Sequence, residues 1–158
     1  MSTYEKTSVA LALVAIVVSI VALLKSTSVS KDNLKLNHGM NELEVKNMIT
    51  AARQRVEDIS IKMIPLLSKT QRSEEEAKEI EGYQRVFSAA VESGVNAYEE
   101  ACAKYLDGKI DKRRFKKTYQ VELRQLVQDP NHRRFFDAVT SPHKAILKVY
   151  DEWENLEK

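Results

Sequence analysis

One cysteine, three prolines and four glycines in 158 residues exclude several architectures at once. A single thiol makes no intrachain disulfide, so a disulfide-stapled secreted scaffold is ruled out. Gly and Pro this scarce rule out collagen-like and low-complexity character. No glycine-rich phosphate loop of the P-loop or dinucleotide-binding type occurs. His38, His132 and His143 show neither an HExxH pattern nor Cys/His ligand spacing, so no metal or other cofactor is expected. Charge of one sign is lacking too: 25 Lys and Arg stand against 23 Asp and Glu, a net charge of +2. Nucleic-acid-binding domains are usually more basic than this.

What is present is one long uncharged run. Residues 8–24, SVALALVAIVVSIVALL, contain 17 residues with only Ser8 and Ser19 polar. As a helix they span about 26 Å, close to the hydrocarbon core of a bilayer at about 30 Å. Tyr4 and Lys25 extend the run as an interfacial ring and a snorkelling ammonium. The rival reading is a cleavable signal peptide. The apolar stretch exceeds the usual signal-peptide limit of about 15 residues, and Glu5 cancels Lys6 before it, so an uncleaved anchor is expected over residues 1–25. Lys25, Lys31 and Lys35 follow the run and only Lys6 precedes it. The positive-inside rule then places the C-terminal part in the cytoplasm, on the inner (plasma) membrane.

Small residues in the run fall at Ser8, Ala12, Ala15, Ser19 and Ala22, a heptad spacing that lets helix backbones approach in lipid. The same phase continues through Ser26, Val29, Asn33, Leu36, Met40 and Leu43. Ser8, Ala12, Ala15, Ser19, Ala22, Leu36, Met40 and Leu43 are therefore the expected oligomer interface. A second apolar run, Val45, Ile49, Ala52, Val56, Ile59, Met63 and Leu66, is shifted by two residues. It reads equally as a coiled-coil seam or as an ordinary amphipathic helix packing on its own domain.

No segment alternates like a strand for long, and the expected fold class is all-α: one N-terminal transmembrane helix, a long helix, and a small helical bundle. The stalk is expected over residues 26–64 and the helical domain over 65–158. Residues 31–64 read as one helix that Pro65 ends or kinks. Ser73 and Glu76 form a capping box for a helix reaching about Leu106. Its expected buried stripe is Ile80, Tyr83, Phe87, Ala90, Gly94, Tyr98, Ala101 and Tyr105, with Gly94 there for close helix packing. Gly108 stops the helix as a left-handed cap and Asp111 caps the next. Asp129-Pro130 and Ser141-Pro142 each start a further helix.

Asp107-Gly108-Lys109-Ile110-Asp111 resembles the middle of a calcium loop. With Gly108 at the central glycine, however, Ala103, Tyr105 and Arg114 fall on ligand positions and supply no suitable oxygen. Cys102 has no base nearby in sequence and reads as a small core hydrophobe. Without a catalytic constellation, an enzyme is not expected.

Charge is segregated along the chain. Residues 73–106 hold 3 basic and 8 acidic groups, net −5; residues 107–134 hold 9 basic and 4 acidic groups, net +5. Lys112, Arg113, Lys116, Lys117, Arg124, Arg133 and Arg134 form a potential anionic-partner patch. Three readings compete: a solvated face neutralised by the acidic helix, contact with anionic lipid headgroups, and nucleic-acid binding, the last disfavoured by the near-neutral balance.

The run YEEACAKYLDGKIDKRRFKKTY from Tyr98, followed by Asp129-Pro130 and a Trp-bearing last helix, resembles uncharacterised bacterial single-span membrane proteins with a helical cytoplasmic domain. The resemblance implies location and fold and carries over no activity. The expected function is that of a membrane-tethered helical interaction or scaffold protein. Its partners would be the bilayer and either further copies of itself or another protein, with no small-molecule substrate. The alternatives are an envelope protein with its domain outside the cytoplasm, in a spanin-like arrangement, or an anionic lipid or nucleic-acid module using residues 109–134.

Overall fold

The structure of the protein, a computed structural model, describes residues 3–137 and 139–155, with side chains from Ile16 onward except Val17. Four α-helices follow in order: α1 (Thr3–Leu67), α2 (Glu74–Leu106), α3 (Lys112–Gln128) and α4 (Lys144–Asn155). A 3-10 helix, Pro130–Phe135, lies between α3 and α4, and no strand occurs among the described residues. The all-α expectation therefore holds. Among the described residues no helix is long and apolar enough to cross a membrane. More than half of the side chains of the expected span, residues 8–15 and 17, lie outside those described.

The chain divides into two compact units, Met1–His38 and Gly39–Lys158. The first holds only the part of α1 up to His38, and the rest of α1 belongs to the second. The second begins well before the domain boundary expected at residue 65, because the second apolar run is an intramolecular seam. Val45, Ile49, Ala52 and Met63 are buried, and Val56, Ile59 and Leu66 are half-buried. Pro65 does not end α1, which continues to Leu67. Its missing N–H costs one hydrogen bond in the final turn, where little helix remains to disrupt. Arg72 then donates from Nε to the Leu66 carbonyl and from Nη2 to the Leu67 carbonyl, at 3.2 and 2.7 Å. These bonds satisfy acceptors that a helix C-terminus leaves orphaned.

The local start and stop signals act as expected. The Ser73 hydroxyl accepts the Glu76 N–H, and the Glu76 carboxylate accepts the Ser73 N–H. Gly108 takes φ +67°, the left-handed conformation that a side chain would resist. Asp111 accepts the Arg114 N–H at 2.9 Å, and Asp129 accepts the Asn131 N–H at 2.8 Å.

The α2–α3 corner is clamped by α1. The Asn41 amide donates to the Lys109 carbonyl, and Glu42 accepts from the Asp111 N–H and the Arg114 guanidinium. Below the clamp the core gathers Val45 and Ile49 of α1, Ala101 and Tyr105 of α2, Phe115 and Leu123 of α3, and Ile146, Val149 and Trp153 of α4. Its centre is aromatic. Tyr105 meets Trp153 edge-on at 5.6 Å, and the indole N–H donates to the Tyr105 hydroxyl at 3.1 Å. A buried indole needs such a partner.

Three expectations about these helices are corrected. In the α2 stripe, Tyr83 and Phe87 are only half-buried, while Val95, Ala97 and Cys102 are buried. The buried face is concentrated in the second half of α2, where α4 also packs. Gly94 does not mark close packing either: a Cβ placed there meets no atom within 4 Å. The third concerns α4, which starts at Lys144 rather than directly at Pro142. Ser141 accepts the His143 N–H at 2.9 Å. The helix itself is capped from α2: the two oxygens of Glu99 accept the N–H groups of Ala145 and Ile146, at 2.8 and 2.9 Å.

Candidate interaction surfaces

Three surfaces carry features beyond packing. The first is α1 ahead of the compact unit. Ile16, Val18, Ile20, Val21, Leu23 and Leu24 are each 52–65% exposed. At 100° per residue these positions cover about 220° of the helix. Exposed Ala22 and Ser19 occupy the remaining arc, so no charged side chain interrupts the surface. Of the expected interface residues, Ser19 and Ala22 are exposed on this stretch, and Ser8, Ala12 and Ala15 have side chains outside those described. Leu36, Met40 and Leu43 are 60–64% exposed.

The second surface is the basic face of α3. Lys112, Arg113, Lys116, Lys117 and Gln120 line a shallow hollow of about 360 Å³ with Tyr105. Lys112 Nζ sits 4.8 Å from the Tyr105 ring centroid and Lys116 Nζ 6.0 Å from that of Trp153. The aromatic rings hold these ammonium groups by their quadrupoles, so two of the four cations are steered by core aromatics rather than by carboxylates. The remaining members of the expected patch are elsewhere. Arg124 bridges Glu154 at 2.8 Å. Arg133 and Arg134 lie on the 3-10 helix, where Arg134 stacks 4.7 Å over Phe135. The structure thus gathers Lys112, Arg113, Lys116 and Lys117 and leaves the other three apart.

The third surface was not foreseen from the sequence. A cavity of about 320 Å³ opens between α1, α2, α3 and the 3-10 helix, with Ile49, Val56, Val91, Val95 and Leu126 on its walls. Gly94 borders it, which accounts for the empty space where its side chain would be. At the rim Arg53 donates to the Tyr98 hydroxyl at 2.6 Å and pairs with Glu122. Tyr98 in turn donates to Glu122 at 2.8 Å. Burial pushes the Tyr98 phenol up to about 12, against the lowering effect of the Arg53 hydrogen bond. Its hydrogen bond to Arg53 helps hold that guanidinium charged. His132 also lines the cavity; its Nδ1 is buried without a hydrogen bond, 3.5 Å from an Asp129 oxygen. The rim residues come from four different elements, so no spacing in the sequence announces them.

Cys102 is fully buried, and burial, with the Glu99 carboxylate adding to it, pushes its thiol well above the ordinary range. A thiol in that state is a poor nucleophile. Among the described residues, no three His, Cys, Asp or Glu side chains gather as a metal site would require. No family model, curated protein or solved structure matches this chain.

Proposed function

We propose that the protein is a membrane-tethered helical interaction protein that works by binding rather than by catalysis. Residues 8–24 are the anchor, and the unit from Gly39 onward is the part that presents contact surfaces. One observation carries the reading: Ile16, Val18, Ile20, Val21, Leu23 and Leu24 on α1 are each more than half exposed. A soluble monomer rarely leaves a continuous apolar collar in water, and lipid removes that cost. The uncharged run around this stretch has the length a span needs. Lys25, Lys31 and Lys35 orient the domain toward the cytoplasm of an inner (plasma) membrane.

Two measurements test the proposal together. After carbonate washing the protein stays in the membrane pellet, and a C-terminal fluorescent-protein fusion is bright while an alkaline phosphatase fusion is inactive. Release by carbonate removes the anchor. The reverse fusion pattern removes the cytoplasmic placement and favours the spanin-like alternative.

The α3 hollow supports a narrower second reading, in which Lys112, Arg113, Lys116 and Lys117 contact anionic lipid headgroups. Each such cation near an anionic leaflet contributes about 1 kcal/mol. Changing all four to Gln then weakens the retention of the domain on phosphatidylserine-containing vesicles and leaves neutral vesicles unaffected. Equal retention on both excludes lipid contact by this face.

A further inference from the structure

Helix α1 has two opposite faces in the compact unit, and only one is used by that unit. Counting a heptad with Met40 at position a and Leu43 at d, the buried residues Val45, Ile49, Ala52 and Met63 fall at f, c, f and c. On a helix the midpoint of the a/d stripe lies about 160° from that of the c/f stripe. The a/d positions of the same helix carry Met40, Leu43, Ile61 and Ile64, each 59–62% exposed. Between them Asn47, Thr50 and Gln54 are exposed and uncharged. In sequence the same count runs back through Leu36, Asn33, Val29 and Ser26.

We propose that this face is the seam of a parallel, in-register dimer, covered by a second copy of the chain. The inference deepens the interaction reading above and rests on its membrane tether for the parallel order of the two chains. Charge placement supports a copy as the occupant. From residue 26 to residue 54 all seven Lys, Arg, Asp and Glu residues fall off the seam. Three of them are turned to other tasks: Glu42 holds Arg114, Glu44 accepts from Lys104 at 2.6 Å, and Arg53 binds Tyr98 and Glu122. A neutral seam meets its own copy without like-charge repulsion, whereas a charged partner would find nothing there to pair with. Asn33 falls at a, where a buried Asn pair specifies two parallel strands in one register at some cost in stability. Glu57, at the d position after Gln54, opposes its own copy, so the seam is weakest there and resumes at Ile61 and Ile64. Leu34, also exposed, lies off the seam. The c/f burial keeps each compact unit on the outside of its own helix, clear of the seam.

Site-directed cross-linking of the full chain in native membranes tests this. Buried Cys102 stays in place as an internal unreactive control. Thiols introduced by Met40→Cys or Ile61→Cys are expected to link two copies about tenfold faster than Lys35→Cys or Lys62→Cys, which lie at c and b. Asn33→Cys supplies a seam position outside the compact unit if either core-proximal variant fails to fold. When chains with Met40→Cys and Ile61→Cys are mixed, no hetero-link is expected, since 21 helical residues separate them by about 31 Å. Equal linking at seam and control positions, no linking at any, or linking to a different protein overturns the seam. A Met40–Ile61 hetero-link overturns the parallel order. Carbonate washing of the same membranes separates the two ideas. Retained protein that does not link leaves the tether and removes the dimer; released protein that links along the seam does the opposite.

Discussion

Replacing Glu99 with Ala removes the cap on α4, and the structure sets the size of the loss. Both Glu99 oxygens accept helix N–H groups, from Ala145 at 2.8 Å and Ile146 at 2.9 Å. These donors have no intrahelical partner, and the carboxylate also faces the positive end of the helix dipole. Hydrogen bonds to a charged group contribute about 1.5–3 kcal/mol each, while measured N-cap deletions cost about 0.5–2 kcal/mol because water partly replaces the cap. With two bonds in a half-buried setting, Glu99→Ala should cost about 3 kcal/mol. For a chain of this size that is a fall in Tm of roughly 6–12 °C. Glu99→Gln keeps one acceptor and should lose about half as much. Glu100→Ala is the control: it removes an i,i+4 pair with Lys104 at 3.3 Å from a half-exposed site, worth less than about 0.5 kcal/mol. The assay is built into the protein. Trp153 is the sole tryptophan, and it sits 2% exposed on α4, so its emission reports whether α4 is docked. Urea titrations of the full chain in one detergent, followed by Trp153 fluorescence, give the difference directly. A Glu99→Ala variant within about 0.5 kcal/mol of the parent would refute the cap.

Alkaline stability should depend on Tyr98. Its folded pKa, about 12, lies above the ordinary value of 10, so the unfolded chain loses the proton first. The stabilisation is complete below pH 10 and is lost as pH rises from 10 to 12, on the order of 2 kcal/mol, and Tyr98→Phe should lack that part of the decline in denaturant titrations. Gly108→Ala must place a side chain at φ +67° and should cost about 1 kcal/mol in the same titration; an unchanged midpoint would mean that the corner relaxes freely. Cys102 should react with a thiol reagent only as fast as the domain opens, so a native-state rate equal to that in urea would contradict its burial.

The elements that were legible in the sequence share one property: their cause lies within a turn of the residue that announces them. Ser73 and Glu76 are three residues apart, as are Asp111 and Arg114, and Gly108 needs only its own missing side chain. The c/f burial of Val45, Ile49 and Ala52 was half legible. The periodicity was plain, but a copy of the chain and the chain's own domain present the same apolar demand to a helix. The α3 cluster was legible as composition, but not as geometry. Which cations share a hollow and which pair with Glu154 or stack on Phe135 depends on where α4 and the 3-10 helix come to rest.

By itself the sequence determined the helical class, the caps, the corner at Gly108 and the apolar collar of α1, because hydrogen-bond saturation and hydrophobic periodicity act over three to four residues. Only the tertiary structure decided that Glu99 caps a helix 46 residues away, that Glu42 closes a corner 69 residues away, and that Arg53, Tyr98 and Glu122 meet beside a cavity. A carboxylate carries no mark of the partner it will find. That partner is selected when buried faces lock the rotation of each helix, and the polar groups left at their edges pair with whatever has been brought within about 3 Å.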